Sequence, residues 1–214
     1  MRIFSQRSLL QKKLPKVKTA EEIEKDLASI VDTVTGKLIY DQNSQIDLRV
    51  FYETGRKQAE KLRPYLNKKY RVLEYGGGVG RLGRYLVRHC KELISVDVKP
   101  IMKEYGQIFC PKIRFLNLNE LPEKQQFDIC YSVAVFFHLN PQEQDAALQY
   151  IHQRLKPGGF ALIDLILGPQ EIPRDRHSPM VTSEKSRFLD QCEKYFTFRF
   201  IKLFNNGLLL QKQL

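Results

Sequence analysis

A glycine-rich segment between an apolar stretch and a helix-like stretch limits how this chain can fold more than any other feature. Residues 72–83 read VLEYGGGVGRLG. Glycines between a buried strand and a helix let a ligand approach the backbone and present helix-terminal N–H groups toward it. The string contains G-x-G-x-x-G from Gly78 to Gly83 and E-x-G-x-G-x-G from Glu74 to Gly80. Either pattern predicts a strand, a ligand-binding turn and a helix.

From Lys68 onward, short apolar segments alternate with amphipathic segments of helix length. This alternation is typical of a parallel sheet covered by helices. The link 117–126 is too short for a full crossover helix, so we expect it to be irregular. The predicted strands are Tyr70–Tyr75, Glu92–Asp97, Ile113–Leu116, Phe127–Ser132 and Gly159–Leu165, with helices at Arg81–His89, Ile101–Phe109 and Pro141–Leu155.

Two segments are predicted to be turns. Lys156-Pro157-Gly158-Gly159 is expected to end the helix that starts at Pro141 and to lead into the next strand. Asn205-Asn206 separates two β-like stretches, 197–204 and 207–213, which predicts a closing hairpin. The fold class predicted is therefore α/β: a Rossmann-like, doubly wound domain with a seven-stranded, mostly parallel sheet and an antiparallel C-terminal hairpin.

Length and charge indicate the domain organisation. A chain of 214 residues accommodates one α/β domain and a small appendage. The formal net charge is +11, and much of the basic excess lies in the first third of the sequence. We expect residues 1–67 to form a basic N-terminal arm and a helical extension that acts as a cap or lid, and residues 68–214 to form the catalytic domain.

The charge of the glycine segment distinguishes between two kinds of cofactor. Asp97, at the predicted end of the second strand, can accept hydrogen bonds from a ribose diol, so both glycine patterns imply an adenosine-type ligand. Glu74 would repel the pyrophosphate of a dinucleotide and suits a ligand that carries an ammonium group. S-adenosylmethionine is such a ligand, and a nicotinamide coenzyme is the alternative.

In these motifs the chain resembles the class I S-adenosylmethionine-dependent methyltransferases, over roughly residues 50–213. The segments that carry the resemblance, in family order, are VLEYGGGVGRLG, SVDVKP, FLNLNELP, FDICYSVAVFFHL and RLKPGGFALID. The resemblance implies S-adenosyl-L-methionine as the cofactor. It implies these cofactor-binding residues: Tyr52, Arg56, Glu74, Tyr75, Gly76, Gly78, Gly80, Asp97, Val98, Asn117, Leu118, Ser132 and Val133.

Several of these positions have more specific implied roles. Asp97 would bind the ribose hydroxyls, and Leu118 would pack on the adenine ring. Asn117 stands where the family usually has Asp, and its amide oxygen can still accept from the adenine amino group. The segment FYETGR resembles a family segment that closes over the cofactor, where Tyr52 could stack and Arg56 could face the carboxylate of the methionine moiety.

His138 is the candidate catalytic residue. Methyl transfer from a sulfonium depends mainly on alignment, and a general base is needed only when the acceptor arrives protonated. His138 follows the fourth strand, at the sheet edge where ligands bind. Its alternative role is to cap or pack against the helix that begins at Pro141. We predict no metal site, because the sequence has no cluster of metal-ligating residues.

The acceptor predicted is an oxygen or nitrogen atom of a small molecule. Ser132-Val133-Ala134 replaces the Asn/Asp-Pro-Pro-aromatic string of enzymes that methylate nucleic-acid amino groups. The loop 168–182 and residues 20–50 are expected to form the acceptor pocket or its lid. The alternatives are an RNA or protein methyltransferase that docks through the basic N-terminal half, and a non-catalytic cofactor-binding protein. Nucleic acid is thus a possible partner but not the favoured one. We predict no membrane association, and we expect the protein in the cytoplasm.

Overall fold

The computed structural model describes residues 48–173, 181–203 and 206–213. The predicted basic arm, residues 20–47 of the predicted lid, residues 174–180 of the long loop and Asn205 of the predicted turn lie outside the described residues.

The described strands are β1 Arg71–Tyr75, β2 Glu92–Asp97, β3 Arg114–Asn117, β4 Phe127–Ser132, β5 Leu155–Leu165, β6 Leu167–Gly168, β7 Ser183–Glu184, β8 Thr197–Ile201 and β9 Asn206–Gln211. Strands β6 and β7 form a separate parallel pair, and the other seven form one sheet in the order β3-β2-β1-β4-β5-β9-β8. Strand β9 pairs antiparallel with β5 and β8, whereas every other pair in this sheet is parallel. The predicted fold class is therefore confirmed.

The helices lie on both faces of the sheet. They are α1 Leu48–Leu62, α2 Gly83–Leu86, α3 Pro100–Phe109, α4 Pro141–Arg154 and α5 Lys185–Glu193, with 3-10 turns at Arg63–Tyr65, Val87–His89, Leu118–Glu120 and Phe136–His138. The link 117–126 contains only a 3-10 turn, as its length predicted. Helix α4 begins with the predicted cap: Asn140 Oδ1 accepts from the Glu143 N–H, and the Glu143 carboxylate accepts from the Asn140 N–H.

Two predicted elements differ in the structure. The predicted turn 156–159 lies inside β5, which begins at Leu155. Leu155 pairs with Phe127 and Phe160 pairs with Ile129, so the four residues between them form an irregular segment in which Gly158 has a φ of 73°. A Cβ on Gly159 would lie 3.1 Å from the Asp128 carbonyl oxygen, so glycine lets this irregular segment lie against β4. The predicted helix Arg81–His89 is limited to α2 and a 3-10 turn, since the glycine turn continues to residue 82.

The sheet separates two hydrophobic cores, because alternate side chains of each strand point to opposite faces. On β1, Leu73 packs into the core covered by α4 and α5, whereas Val72 packs into the core covered by α1 and α2. Both side chains are completely buried, and each contributes about 1.5–3 kcal/mol of burial free energy. Glu74 lies on the same face as Val72, which places a carboxyl group at the end of an apolar surface.

Helix α1 belongs to the predicted N-terminal extension, and it packs on the sheet through Ala59 and Leu62.

All four cysteines are buried and unpaired. No described helix combines the length and the apolar character needed to cross a bilayer.

Candidate active site

The glycine turn follows β1 at the carboxyl edge of the sheet. Gly76, Gly78 and Gly80 have φ angles of 72°, 55° and 80°, a region that favours glycine. A Cβ on Gly76 would lie 2.4 Å from Val135, and one on Gly80 would lie 2.8 Å from Phe115. At Gly78 a Cβ would meet no described atom within 4 Å. The turn is therefore packed at both ends and open at Gly78.

Asp97 connects the second strand to this turn. Its Oδ2 accepts a hydrogen bond from the Gly78 N–H at 3.1 Å, and its Oδ1 accepts from the Lys99 N–H at 3.0 Å. Burial raises the pKa of Asp97 above its ordinary value, although both N–H donors act in the opposite direction. The structure thus brings together the two parts of the sequence that predicted a nucleotide ligand.

A cavity of about 560 Å³ opens beside Asp97, beyond the ends of β2 and β3. Val98, at 70% exposure, presents an apolar side chain to it, and the predicted Asn117 and Leu118 also line it. Sequence reasoning missed Tyr150, whose hydroxyl donates to the Leu118 carbonyl at 3.1 Å. The residues that line the cavity are Val98, Pro100, Asn117, Leu118, Asn119, Leu121, Glu123, Tyr150 and Arg154.

Glu74 lies beneath the glycine turn and is only 3% exposed. Its Oε2 would be 2.5 Å from a Cβ on Gly77 and 2.8 Å from one on Gly83, so glycine at both positions leaves room for the carboxyl group. Burial raises the pKa of Glu74 to about 7, and the nearby Ser95 and Tyr131 side chains act against that rise. Among the described residues, Glu74 Oε2 and both hydroxyls lack a partner in regular hydrogen-bond geometry.

Arg81 connects the glycine turn to helix α1, a contact that sequence reasoning missed. Its guanidinium donates to Thr54 Oγ1 at 3.4 Å and lies 5.7 Å from the centre of the Phe51 ring. A Cβ on Gly55 would lie 2.4 Å from the Arg81 carbonyl oxygen. Burial lowers the pKa of Arg81 to about 10, and the charge of Glu74 partly offsets this. Helix α1 therefore packs directly on the predicted cofactor turn.

The two predicted residues on α1 have different surroundings. The Tyr52 ring lies 4.0 Å from the Arg84 guanidinium, next to the glycine turn. Arg56 is exposed and forms ion pairs with Glu53 at 2.6 Å and Glu60 at 2.5 Å. These carboxylates raise the pKa of Arg56. Both ion pairs are exposed to solvent, so Arg56 can exchange these partners at little cost.

The end of β4 is tied to the end of β1. Ser132 is completely buried, and its hydroxyl donates to the Tyr75 carbonyl at 3.0 Å. Val133 follows at 9% exposure, and Ala134 has a φ of 61°, which is uncommon for a residue with a Cβ. Such strained positions cluster at functional sites. His138 ends the next 3-10 turn, with its ring centre 4.6 Å from that of Phe137.

Part of the long loop is held against the turn that bears His138. The Val181 N–H donates to the Phe137 carbonyl at 2.6 Å. The buried Gln144 amide donates to the Phe136 and Leu139 carbonyls and to Ser183 Oγ, at 3.0, 3.1 and 2.8 Å. This end of the loop therefore has a fixed position beside His138.

The described residues define a class: a doubly wound α/β protein with a glycine turn, an acidic strand end and a cavity together at the carboxyl edge of the sheet. Comparison with known proteins agrees with it. Residues 72–159 match a protein family described as a methyltransferase domain. Residues 72–159 are thus similar to methyltransferase domains, and the chain shares the fold of solved methyltransferase structures.

An uncharacterized methyltransferase of Oceanobacillus iheyensis is 28% identical over 99 residues, which are 45% of this chain and 46% of that protein. The match thus spans less than half of the relative. Among solved structures, the N-methyltransferase NodS of Bradyrhizobium japonicum has a TM-score of 0.57 at 18% identity, covering 79% of this chain and all of NodS. The amino pentose methyltransferase CalS10 of Micromonospora echinaspora, with S-adenosylmethionine bound, has a TM-score of 0.55 at 14% identity, covering 77% and 92%. At sequence identities of 18% and 14%, these two comparisons show that the chain shares the fold of NodS and CalS10.

The described residues fit S-adenosylmethionine. Gly78 leaves open space above the turn, Asp97 offers acceptor oxygens beside it, and the exposed Val98 offers an apolar contact for the adenine ring. Glu74, whose carboxyl group is buried, is placed to support the turn from below.

Proposed function

We propose that the protein transfers the methyl group of S-adenosylmethionine to an oxygen or nitrogen atom of a small molecule. The observation that carries this proposal is the junction of Gly78 and Asp97 beside a cavity with the exposed Val98 at its rim. One similar structure, an amino pentose methyltransferase, supports a small-molecule acceptor. A second, an N-methyltransferase, supports a nitrogen acceptor, and one form of it contains S-adenosylhomocysteine.

Each part of the site has a task in this proposal. When bound, S-adenosylmethionine supplies a methyl group on a sulfonium, which a nucleophile can displace without further activation. Asp97 would hold the ribose hydroxyls, and Val98 and Leu118 would exclude water from the adenine ring. The glycine turn would bring backbone N–H groups to the methionine moiety without Cβ clashes. Alignment of this kind can supply up to roughly 7–11 kcal/mol of the barrier reduction.

His138 would take the proton from an acceptor that arrives protonated. It lies after β4 at the carboxyl edge, and Val181 and Thr182 of the long loop lie beside it, held by the Val181 N–H bond to the Phe137 carbonyl. These residues would form one wall of the acceptor pocket. A general base in that position typically contributes a factor of about 10²–10⁴ to the rate.

Calorimetry with S-adenosylmethionine and with NADH tests the cofactor assignment first. We expect binding of the sulfonium ligand alone; preference for NADH would overturn the assignment.

Incubation with a labelled methyl donor and separate metabolite and RNA pools then tests the acceptor. Label in a metabolite fraction supports the proposal. Label only in RNA contradicts the proposal and favours an RNA methyltransferase. Cofactor binding with no transfer to either pool contradicts it and favours a non-catalytic protein.

A further inference from the structure

A group of exposed cationic side chains lies at the amino edge of the sheet, opposite the cofactor turn. We call this group the basic edge; its members are Arg63, Lys68, Lys69, Arg88 and Lys91. They come from the segments that precede β1 and β2. The Lys91 N–H donates to the Tyr70 carbonyl at 2.8 Å, which holds these two segments together.

The basic edge is a local excess of positive charge. In the described part of the chain, none of its five cations forms an ion pair with a carboxylate. The nearby Glu92 is paired with Arg71. His89 lies among these cations: its Nε2 accepts from Arg88 Nε at 3.2 Å. Its pKa is lowered by burial and by the charges of Arg63, Arg88 and Lys68.

A groove of about 470 Å³ adjoins the basic edge where the chain turns from α1 toward β1. The half-buried rings of Tyr65 and Phe160 line it, together with the exposed cation Arg199 and the side chain of Gln211. Pro64 and Tyr65 follow Arg63 directly in the sequence, so the groove and the edge form one surface. Flat apolar rings next to unpaired cations match the two parts of a nucleotide, its base and its phosphate.

We propose that this surface binds single-stranded RNA, with phosphates on the basic edge and a base in the groove. Unpaired surface cations gain most from a phosphate backbone, because binding releases the counterions condensed on it. A single strand is favoured over a duplex because only unstacked bases can reach Tyr65 and Phe160. The surface lies one strand length from the cofactor turn, so this inference does not depend on the identity of the methyl acceptor.

Fluorescence anisotropy of a labelled 20-nucleotide oligouridylate with the full-length protein tests the proposal. Arg63→Gln/Lys68→Gln should weaken binding about tenfold at 100 mM salt and reduce the slope of log K against log salt by about 1.4, at about 0.7 per phosphate contact. The control Lys185→Gln/Lys194→Gln removes the same charge at the two ends of α5, which covers the opposite face of the sheet from Tyr65, and should change neither value. Equal effects of the two double variants would overturn the proposal, since binding would then follow net charge alone.

The groove is tested separately. Tyr65→Leu should weaken oligouridylate binding severalfold, whereas Tyr65→Phe should bind like wild type because the ring is kept. If Tyr65→Leu unfolds, Arg199→Gln tests the same groove from an exposed position. Wild-type affinity in folded Tyr65→Leu and Arg199→Gln proteins would overturn the groove assignment. Equal affinity for a duplex, or binding to phosphatidylserine vesicles in preference to oligouridylate, would overturn the choice of ligand.

Discussion

The Gly78 N–H donates a hydrogen bond to Asp97 Oδ2 at 3.1 Å, so the acidic residue that ends β2 contacts the glycine turn that follows β1. Asp97 therefore has two tasks in the proposed function: it would bind the ribose, and it already orders the turn that would bind the methionine moiety. Removing the Asp97 carboxylate should weaken cofactor binding more than it destabilises the fold, because the carboxylate lies at the sheet edge.

Asp97→Ala should weaken S-adenosylmethionine binding by about 1–3 kcal/mol, from loss of hydrogen bonds to a charged acceptor. Calorimetry measures this value, and circular dichroism checks that the variant is folded. Asp97→Asn retains one oxygen for the Gly78 N–H and should have an intermediate affinity. Unchanged affinity in a folded Asp97→Ala protein would exclude the ribose role.

Gly78→Ala should reduce cofactor affinity more than tenfold, because its Cβ would occupy the open space above the turn. The left-handed φ of 55° adds about 1–2 kcal/mol of backbone strain. Gly158→Ala is the matched control for backbone strain: Gly158 is exposed, has a φ of 73° and lies near the start of β5, outside the glycine turn. Thermal unfolding should show similar losses of stability in both variants, and calorimetry should show loss of binding only in Gly78→Ala.

Glu74→Gln should change how stability depends on pH. Because the folded pKa of about 7 is above the ordinary value of 4.5, the folded protein holds a proton that the unfolded chain has released between these values. The wild-type free energy of unfolding should therefore fall as pH rises from about 4.5 to 7. The variant lacks this loss and should be the more stable form at pH 8 by roughly 1–3 kcal/mol, with little difference at pH 5.

Chemical denaturation of both proteins at pH 5 and pH 8 measures the Glu74 effect. The charge of Asp97 is one of the causes that raise the pKa of Glu74, so the same comparison in an Asp97→Asn background isolates the Glu74 contribution. A variant less stable than wild type at pH 8 would show that the ionised carboxylate supports the turn.

Gly55→Ala should destabilise the protein although alanine favours a helix by about 1 kcal/mol. The added Cβ would lie 2.4 Å from the Arg81 carbonyl oxygen, and overpacking of this kind costs about 1–3 kcal/mol. Lys57→Ala, at an exposed position of the same helix, should leave the melting temperature nearly unchanged. A Gly55→Ala melting temperature at or above that of wild type would contradict the close packing of α1 on the glycine turn.

His138→Asn should lower methyl transfer about 10²–10⁴-fold for an acceptor that must lose a proton, with cofactor affinity unchanged. Single-turnover rates with the acceptor found in the labelling screen, measured against pH, test this prediction. Near-normal turnover with the wild-type pH profile would leave His138 with a packing role beside Phe137.

The sequence by itself determined the sheet, its parallel strands, the closing hairpin and the position of the glycine turn. These features depend on local patterns: alternation of apolar segments, glycines that permit positive φ, and an acid at a strand end. The start of β5 could not be predicted in the same way, because the turn composition of Lys156-Pro157-Gly158-Gly159 does not indicate that Leu155, just before it, pairs with Phe127.

Only the tertiary structure decided which way the site residues face. The sequence suggested that Glu74 faces the ligand, but its place on β1 directs it to the side occupied by Val72, beneath the turn. The contacts of Arg81 with Thr54 and of Tyr150 with Leu118 join residues 27 and 32 positions apart. No local pattern encodes such contacts, because they exist only once helices have packed on the sheet.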